Sequence, residues 1–457
     1  MAHPSKNDTH VAVIGAGNVG IAVAYYLATE HGLEDIVLLD PLPPMSLTSA
    51  QSGENYRDWW PHAIMTAFTS RSITLMEQIE QASPGIIGMT RGGYALATRQ
   101  ADPAALVENL RETYAGISED IRVHDHRLSG YQFDRACAWP EAPGGVDVIL
   151  GAGPVHEAFP EFSPDILSVV HIRRAGSINA RDLGQFMLSA LKSRNVEVRQ
   201  GKVVAIAHSG KYHLDVLGAD GTVQTLAAES VVNAAGPYAD EIAKMLGQDL
   251  PIYNVYQQKI AFDDVLQVIP RDMPFSIDID GQTLAWTEEE KALLRDDPEM
   301  RHWLEPMPGN IHCRPDGPRS GTRIKLGWAY NKKKSDVHDG EPLDGQFPEI
   351  VLRGASRLHP GLENYLAALP APLSHYGGYY TMNDENLPLI GPLDGQGAFM
   401  AIALSGYGTM GACAAGSLCA SWVAGKQVSR LEANLSLARY QDPALMAEIQ
   451  KQGQGEL

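Results

Sequence analysis

Residues 10–40 read HVAVIGAGNVGIAVAYYLATEHGLEDIVLLD. An apolar run at 11–14 ends in glycines at 15, 17 and 20; a helical pattern follows, and a second apolar run at 36–39 ends in Asp40. Each part has a physical task in a unit that binds a dinucleotide. Gly15 permits the tight turn after the strand, Gly17 lets the backbone approach a pyrophosphate, and Gly20 lets the helix pack closely on the strand. The helix N-terminus presents unpaired N–H groups to the phosphates. Asp40, about twenty residues beyond the last glycine, stands where a carboxylate accepts hydrogen bonds from a ribose. A GxGxxG string alone is weak, whereas strand, glycines, helix, strand and acid in that order are specific. The unit does not by itself separate NAD from FAD.

The rest of the chain is built at a matching scale. Its 457 residues exceed what one hydrophobic core supports, so two domains are expected. Apolar residues make up 44% and charged residues 20%, an ordinary globular balance. No apolar run reaches the roughly 18 residues of a membrane span. The opening MAHPSKNDTH lacks the apolar centre of a signal peptide, and a cytoplasmic protein is expected. A formal net charge of −19 argues against a nucleic-acid partner and for solubility. Cys137, Cys313, Cys413 and Cys419 form no CxxC pair and no metal-ligand spacing, so free thiols and no metal site are expected. There is no GxSxG and no HExxH that would point to a hydrolase.

Further along, INARDLGQFMLSALKS (178–193) carries a helical apolar stripe with Asn179 placed to cap it. VEVRQ, KVVAIA, YHLDVL and SVVNAAG read as short strands, and YADEIAKMLG as a helix closed by Gly247. From 247 to about 370 the text turns rich in Pro, Gly, Trp and charge, as expected of a second domain of strands with a helical insertion. Near the end, an apolar strand at 398–404 breaks at SGYGTMG (405–411) and an Ala/Cys/Leu-rich helix follows. This second glycine turn at a helix N-terminus can also donate N–H groups to an anion. Two such turns at opposite ends of one chain favour a long cofactor.

The first unit, KVVAI (202–206), VVNAAGPYA (231–239), LPLIGP (387–392) and SGYGTMG together resemble the FAD-dependent oxidoreductases of the D-amino-acid oxidase family, in its sarcosine-oxidase-like branch. The resemblance covers about residues 10–260 and 320–425; the segment 280–318 lies outside it. It implies an α/β protein with a discontinuous, Rossmann-like FAD-binding domain (8–100, 165–247 and 371–430). A substrate domain (101–164 and 248–370), built on an antiparallel sheet over the flavin, and a helical tail (431–457) complete the expected division. In the first unit it assigns Gly15, Gly17, Asn18, Val19, Gly20, Asp40 and Pro41 to the cofactor. From the loop TSAQSGENYRDWWP (48–61) it assigns Ser49, Gln51, Ser52, Gly53 and Glu54. Val203, Ala235 and Gly236 follow, and then Gly406, Tyr407, Gly408, Thr409 and Met410 in the last turn.

For catalysis the resemblance singles out Arg57, Lys325 and Tyr407. Arg57 matches an arginine beside the flavin ring, and the apolar Trp59–Trp60–Pro61 run favours that over the alternative, an ion-pair residue at the surface. Lys325 lies in GTRIKLGW (321–328), whose period-two alternation is that of a two-faced strand. It is either on the wet face with Arg323 or, as the family's K-L-G strand implies, a cation that promotes reaction with oxygen. The family's flavin-linking cysteine falls on Gly377, so noncovalent FAD is expected. Its carboxylate-gripping lysine falls on Met410 and its loop histidine on Tyr407, which points away from a small amino acid such as sarcosine. The implied function is oxidation of a C–N bond in an amine or N-substituted amino acid by hydride transfer to flavin. Hydrolysis of the imine and reoxidation by O2 to H2O2 complete it. The alternative is a dehydrogenase of the same fold that passes electrons to a quinone or carrier protein.

Overall fold

The computed structural model describes residues 7–114, 121–125, 127–133, 137–194 and 196–451; the first six residues of the amino-terminal stretch and 452–457 of the expected tail lie outside the described residues. Strand β1 (Asp8–Ile14) pairs in parallel with β2 (Ile36–Asp40), and helix α1 (Asn18–Thr29) joins them. On its other side β1 pairs in parallel with Val223–Asn233, which in turn pairs in parallel with Ala398–Ile402. The last part of the chain thus closes the sheet that the first part opens. Lys202–His208 and Tyr212–Leu217 extend it as an antiparallel meander, and Glu197–Gln200 and Leu389–Pro392 complete eight strands. β1 and β2 are apolar at consecutive positions because both faces of a parallel sheet are covered. α1 packs on the helix Gly408–Val423 with little room: a Cβ at Gly416 would stand 2.6 Å from Ala22. The expected helix at 178–193 is Ala180–Leu191, with the Asn179 side chain accepting from Asp182 N.

A nine-stranded sheet forms the second layer, in the order Leu373–Met382, Tyr253–Asp263, Arg323–Gly327, Ile311–Pro315, Phe275–Asp278, Tyr94–Thr98, Ser168–Ile172, Val146–Leu150 and Ile121–His124. It is mixed rather than antiparallel. Phe275–Asp278 runs parallel to Tyr94–Thr98, and Ile121–His124 parallel to Val146–Leu150. Parallel neighbours need long crossovers, and the chain between 98 and 275 supplies one. Sheet membership also corrects the expected division at three strands: Tyr94–Thr98, Ser168–Ile172 and Leu373–Met382 hydrogen-bond in this sheet, not in the nucleotide sheet. The segment 280–318 contains the expected helix, Glu288–Asp296, and a strand of the sheet, Ile311–Pro315.

Register decides what this sheet presents to its two sides. Ile324 and Leu326 are fully buried against Phe347, Ile350 and Val351 of the helix Phe347–Ser356. Lys325 points the other way. It lies opposite Ala261 and Arg314, while Lys259 lies opposite Gly327 and Tyr376, and Gly378 opposite Gln257. With a side-chain period of two, Lys259, Arg314, Lys325 and Gly378 therefore share the face turned toward the nucleotide layer. No helix among the described residues is long and apolar enough to cross a membrane.

Candidate active site

Between the layers lies a cavity of about 400 Å³. Both glycine turns open onto it, and both α1 and Gly408–Val423 begin there without a side-chain cap. The conformation of the first turn depends on its glycines. Gly15 has φ +110°, and a Cβ there would stand 2.2 Å from the Ala234 carbonyl oxygen; a Cβ at Gly20 would stand 1.9 Å from that of Gly15. Three loops are tied together across the cavity wall. Asn18 N donates to Ser49 Oγ at 2.9 Å, Asn18 Nδ2 donates to Thr409 Oγ1 at 2.9 Å, and Ser52 Oγ donates to the same Thr409 oxygen at 2.8 Å. Asp40 marks one end. Its carboxylate accepts from Ala16 N at 2.7 Å and Leu42 N at 2.8 Å, while burial raises its pKa against the pull of those two donors.

Most of the cofactor residues expected from sequence come together here. Gly15, Gly17, Asn18, Val19, Asp40 and Pro41 line the cavity, as do Ser49, Gln51, Ser52 and Gly53 of the loop. Val203, Ala235 and Gly236 line it toward the Asp40 end, and Gly406, Gly408 and Thr409 come from the last turn. Four others stand off the wall. Gly20 is spent on helix–strand packing, and Glu54 turns toward Lys325 and Arg314. Met410 is buried in the helix core. Tyr407 lies in a 3₁₀ turn that directs its ring against Trp60, 5.0 Å between centroids, and its hydroxyl donates to the Asn386 carbonyl at 2.9 Å. Strand phase also moves the position expected to bear a flavin link. A Cβ at Gly377 would point into Tyr256 and the Gln257 carbonyl, whereas Gly378 faces the cavity.

Lys325 is not a wet-face residue. It is 7% exposed, and its Nζ lies 3.3 Å from Asp316 Oδ1, 3.6 Å from Glu54 Oε2 and 3.5 Å from the Ser52 carbonyl. Burial, reinforced by Arg314, brings its pKa down to about 8, while Asp316 and Glu54 pull the other way. Arg323 shares the face but sits at the rim, bonded to Ser374. Neither Lys325 nor Arg57 lines the cavity. Arg57 is 1% exposed, its guanidinium carbon 4.3 Å from the Trp60 ring centre and 5.7 Å from that of Tyr94. None of its three guanidinium nitrogens has a hydrogen-bond partner among the described residues. Burial lowers its pKa to about 10.

Three site residues escape the sequence reading: Lys259, Arg314 and His312. Lys259 lines the cavity beside Gly53 and Tyr380. Arg314 joins the cluster, 2.8 Å from Asp316 and donating to the Gly53 carbonyl at 3.0 Å. His312 lies opposite Gly327; burial, with Lys259 next in weight, holds its pKa down to about 3, so its ring is neutral. The one signal in the sequence, and for Lys259 alone, is the polar trio Gln257, Gln258 and Lys259 between the apolar Val255–Tyr256 and Ile260–Phe262.

A two-layer α/β protein with two glycine turns on one elongated cavity is of the dinucleotide-binding oxidoreductase class. The chain belongs to the FAD-dependent oxidoreductase (DAO) family, whose model matches residues 10–422. It is 22% identical over 428 residues to mitochondrial dimethylglycine dehydrogenase of Rattus norvegicus, covering 92% of this chain and 43% of that protein. The chain thus spans less than half the length of the dimethylglycine dehydrogenases it matches. Its fold is that of glycine oxidase from Geobacillus kaustophilus, with TM-score 0.68, 18% identity and coverage of 95% and 99% of the two chains. L-proline dehydrogenase from P. horikoshii gives TM-score 0.68 at 15% identity, covering 96% and 99%. The cavity fits FAD on its own chemistry: the Asp40 carboxylate, two helix N-termini whose N-cap residues lend no side chain, and the Lys259 cation with no carboxylate partner among the described residues all line it.

Proposed function

We propose that the protein oxidises the C–N bond of an amine or N-substituted amino acid that carries an anionic group. Bound FAD supplies the two-electron acceptor. The observation that carries the reading is Arg57, a buried guanidinium without a hydrogen-bond partner among the described residues, two residues beyond Asn55 on the strand that leaves the cavity loop. Burying an unpaired cation is costly, and an anion from a ligand relieves that cost. Trp59, Trp60 and Tyr94 exclude water around it. A dry pocket favours the neutral amine over the ammonium ion, and its lone pair then assists loss of hydride from the adjacent carbon. The substrate class is consistent with the relatives named for dimethylglycine, glycine and L-proline. Noncovalent FAD is the reading, supported by the lack of a side chain at Gly377 and Gly378, where a linking cysteine is expected.

A second reading, a dehydrogenase that passes electrons to a carrier, is favoured by the state of Lys325. Its ammonium is shared with Asp316 and Glu54, which weakens any field it exerts on oxygen. A panel of amines and N-substituted amino acids tests both. Anaerobic bleaching of the flavin by a carboxylate-bearing amine is expected, and no bleaching by any member refutes the amine reading. Stoichiometric peroxide under air selects the oxidase, and its absence with intact dye reduction selects the dehydrogenase.

A further inference from the structure

Two lysines on one sheet face compete for the role of the cavity's cation. We propose that Lys259, not Lys325, is the charge that faces the bound FAD and sets its reduction potential, and that Lys325 is a positioning residue for the loop Ser52–Gly53–Glu54. The inference rests on the reading of the cavity as an FAD site. Lys259 lines the cavity and is 6% exposed. Its Cε would lie 3.9 Å from a Cβ at Gly53, so the side chain lies close to the one loop residue that leaves space there. Among the described residues its Nζ has one hydrogen-bond partner, a hydroxyl: Tyr380 Oη at 3.4 Å, with the ring centre at 5.5 Å. No carboxylate pairs with it among the described residues, so its field is not cancelled locally.

Lys325 differs on each count. It does not line the cavity, and two carboxylates and the Ser52 carbonyl surround its ammonium. With Arg314, which pairs with the same two carboxylates, the cluster holds two cations and two anions and is close to neutral when viewed from a few ångströms further off, so its influence on the cavity falls faster than that of an unpaired charge. What it does hold is the loop: Ser52 through its carbonyl and Glu54 through its carboxylate, with Arg314 gripping Gly53 and Glu54 from the next strand. Two-electron reduction of FAD adds negative charge that an unpaired ammonium stabilises, so Lys259 should raise the potential.

The test measures the midpoint potential of the FAD-loaded protein by equilibration with a reference dye, alongside the FAD retained after gel filtration. Lys259→Met is expected to disfavour reduction by about ten- to a hundredfold, which is about 30–60 mV lower for a two-electron couple. Lys325→Met is expected to leave the potential within about 10 mV, a factor of about two by the same conversion, while retaining less FAD. Lys259→Gln serves if the methionine variant does not fold, and the same drop is expected. A potential unmoved in the Lys259 variants, or moved further by Lys325→Met, overturns the assignment while leaving the FAD site intact. A wild-type protein that binds no FAD overturns both.

Discussion

Replacing Arg57 with methionine should stabilise the unliganded protein and cripple ligand binding. The guanidinium is 1% exposed, without hydrogen-bond partners among the described residues, and its pKa is lowered from 12.5 to about 10, chiefly by burial. At about 1.4 kcal/mol per pKa unit, keeping that charge costs about 3 kcal/mol. The aromatic faces return about 1–2 kcal/mol. The methionine variant should then gain about 1–2 kcal/mol, or about 1–2 °C at about 2 cal/mol/K of unfolding entropy per residue. Because the folded pKa lies below the unfolded value, the cost is present in full at pH 7 and fades only as pH rises through about 10. Urea and thermal melts of apoprotein measure the gain. The same melts with a carboxylate-bearing amine should lose their ligand-induced shift, since a buried charge pair is worth about 2–5 kcal/mol, at least about thirtyfold in affinity. An apoprotein destabilised by the change, or an undiminished ligand shift, would refute the reasoning: the charge would then be structural.

Lys325 titrates near pH 8, so its hold on Ser52 and Glu54 is present below that pH and lost as pH rises through it; FAD release should accelerate above about pH 8 in the wild type and be fast and pH-independent in Lys325→Met. Equal release at pH 7 and pH 9 in the wild type would show that the ammonium does not anchor the loop. Asp40→Asn should lower FAD content on purification, and full FAD retention would place the ribose elsewhere. Gly20→Ala brings a methyl to 1.9 Å from the Gly15 carbonyl and should cost about 1–3 kcal/mol in a melt, with loss of bound FAD; a neutral change would mean that α1 can slide. Acid precipitation should leave the yellow colour in the supernatant, and colour kept in the pellet would reveal a covalent link.

What the sequence made legible was local. The first nucleotide unit was readable because glycine turn, helix phase and terminal acid all fall within 10–40, where chain neighbours are also spatial neighbours. The last glycine turn was readable for the same reason. Faces set by distant pairing were not. Lys259, Arg314 and Lys325 become neighbours only through the register of Tyr253–Asp263, Ile311–Pro315 and Arg323–Gly327, which no local period encodes. Tyr253–Asp263 is moreover buried on both sides over most of its length, so alternation gave no sign of which face Lys259 takes. A one-residue phase separates Gly377 from Gly378, and in a strand one residue exchanges the two faces. Tyr407 was misplaced because a short 3₁₀ turn, invisible in composition, swings its ring into the core.

Because α1 packs so tightly on Gly408–Val423, the order of synthesis matters to the cofactor. Ribosomes add about 5–20 residues per second, so α1 waits on the order of half a minute for its partner helix to emerge. Through that interval its apolar surface must be sheltered by a chaperone or by provisional contacts. A polypeptide released before the second glycine turn carries half of a nucleotide cradle and nothing to close it. Retained flavin colour therefore reports translation past residue 423: only molecules that carry the helix Gly408–Val423 can be yellow.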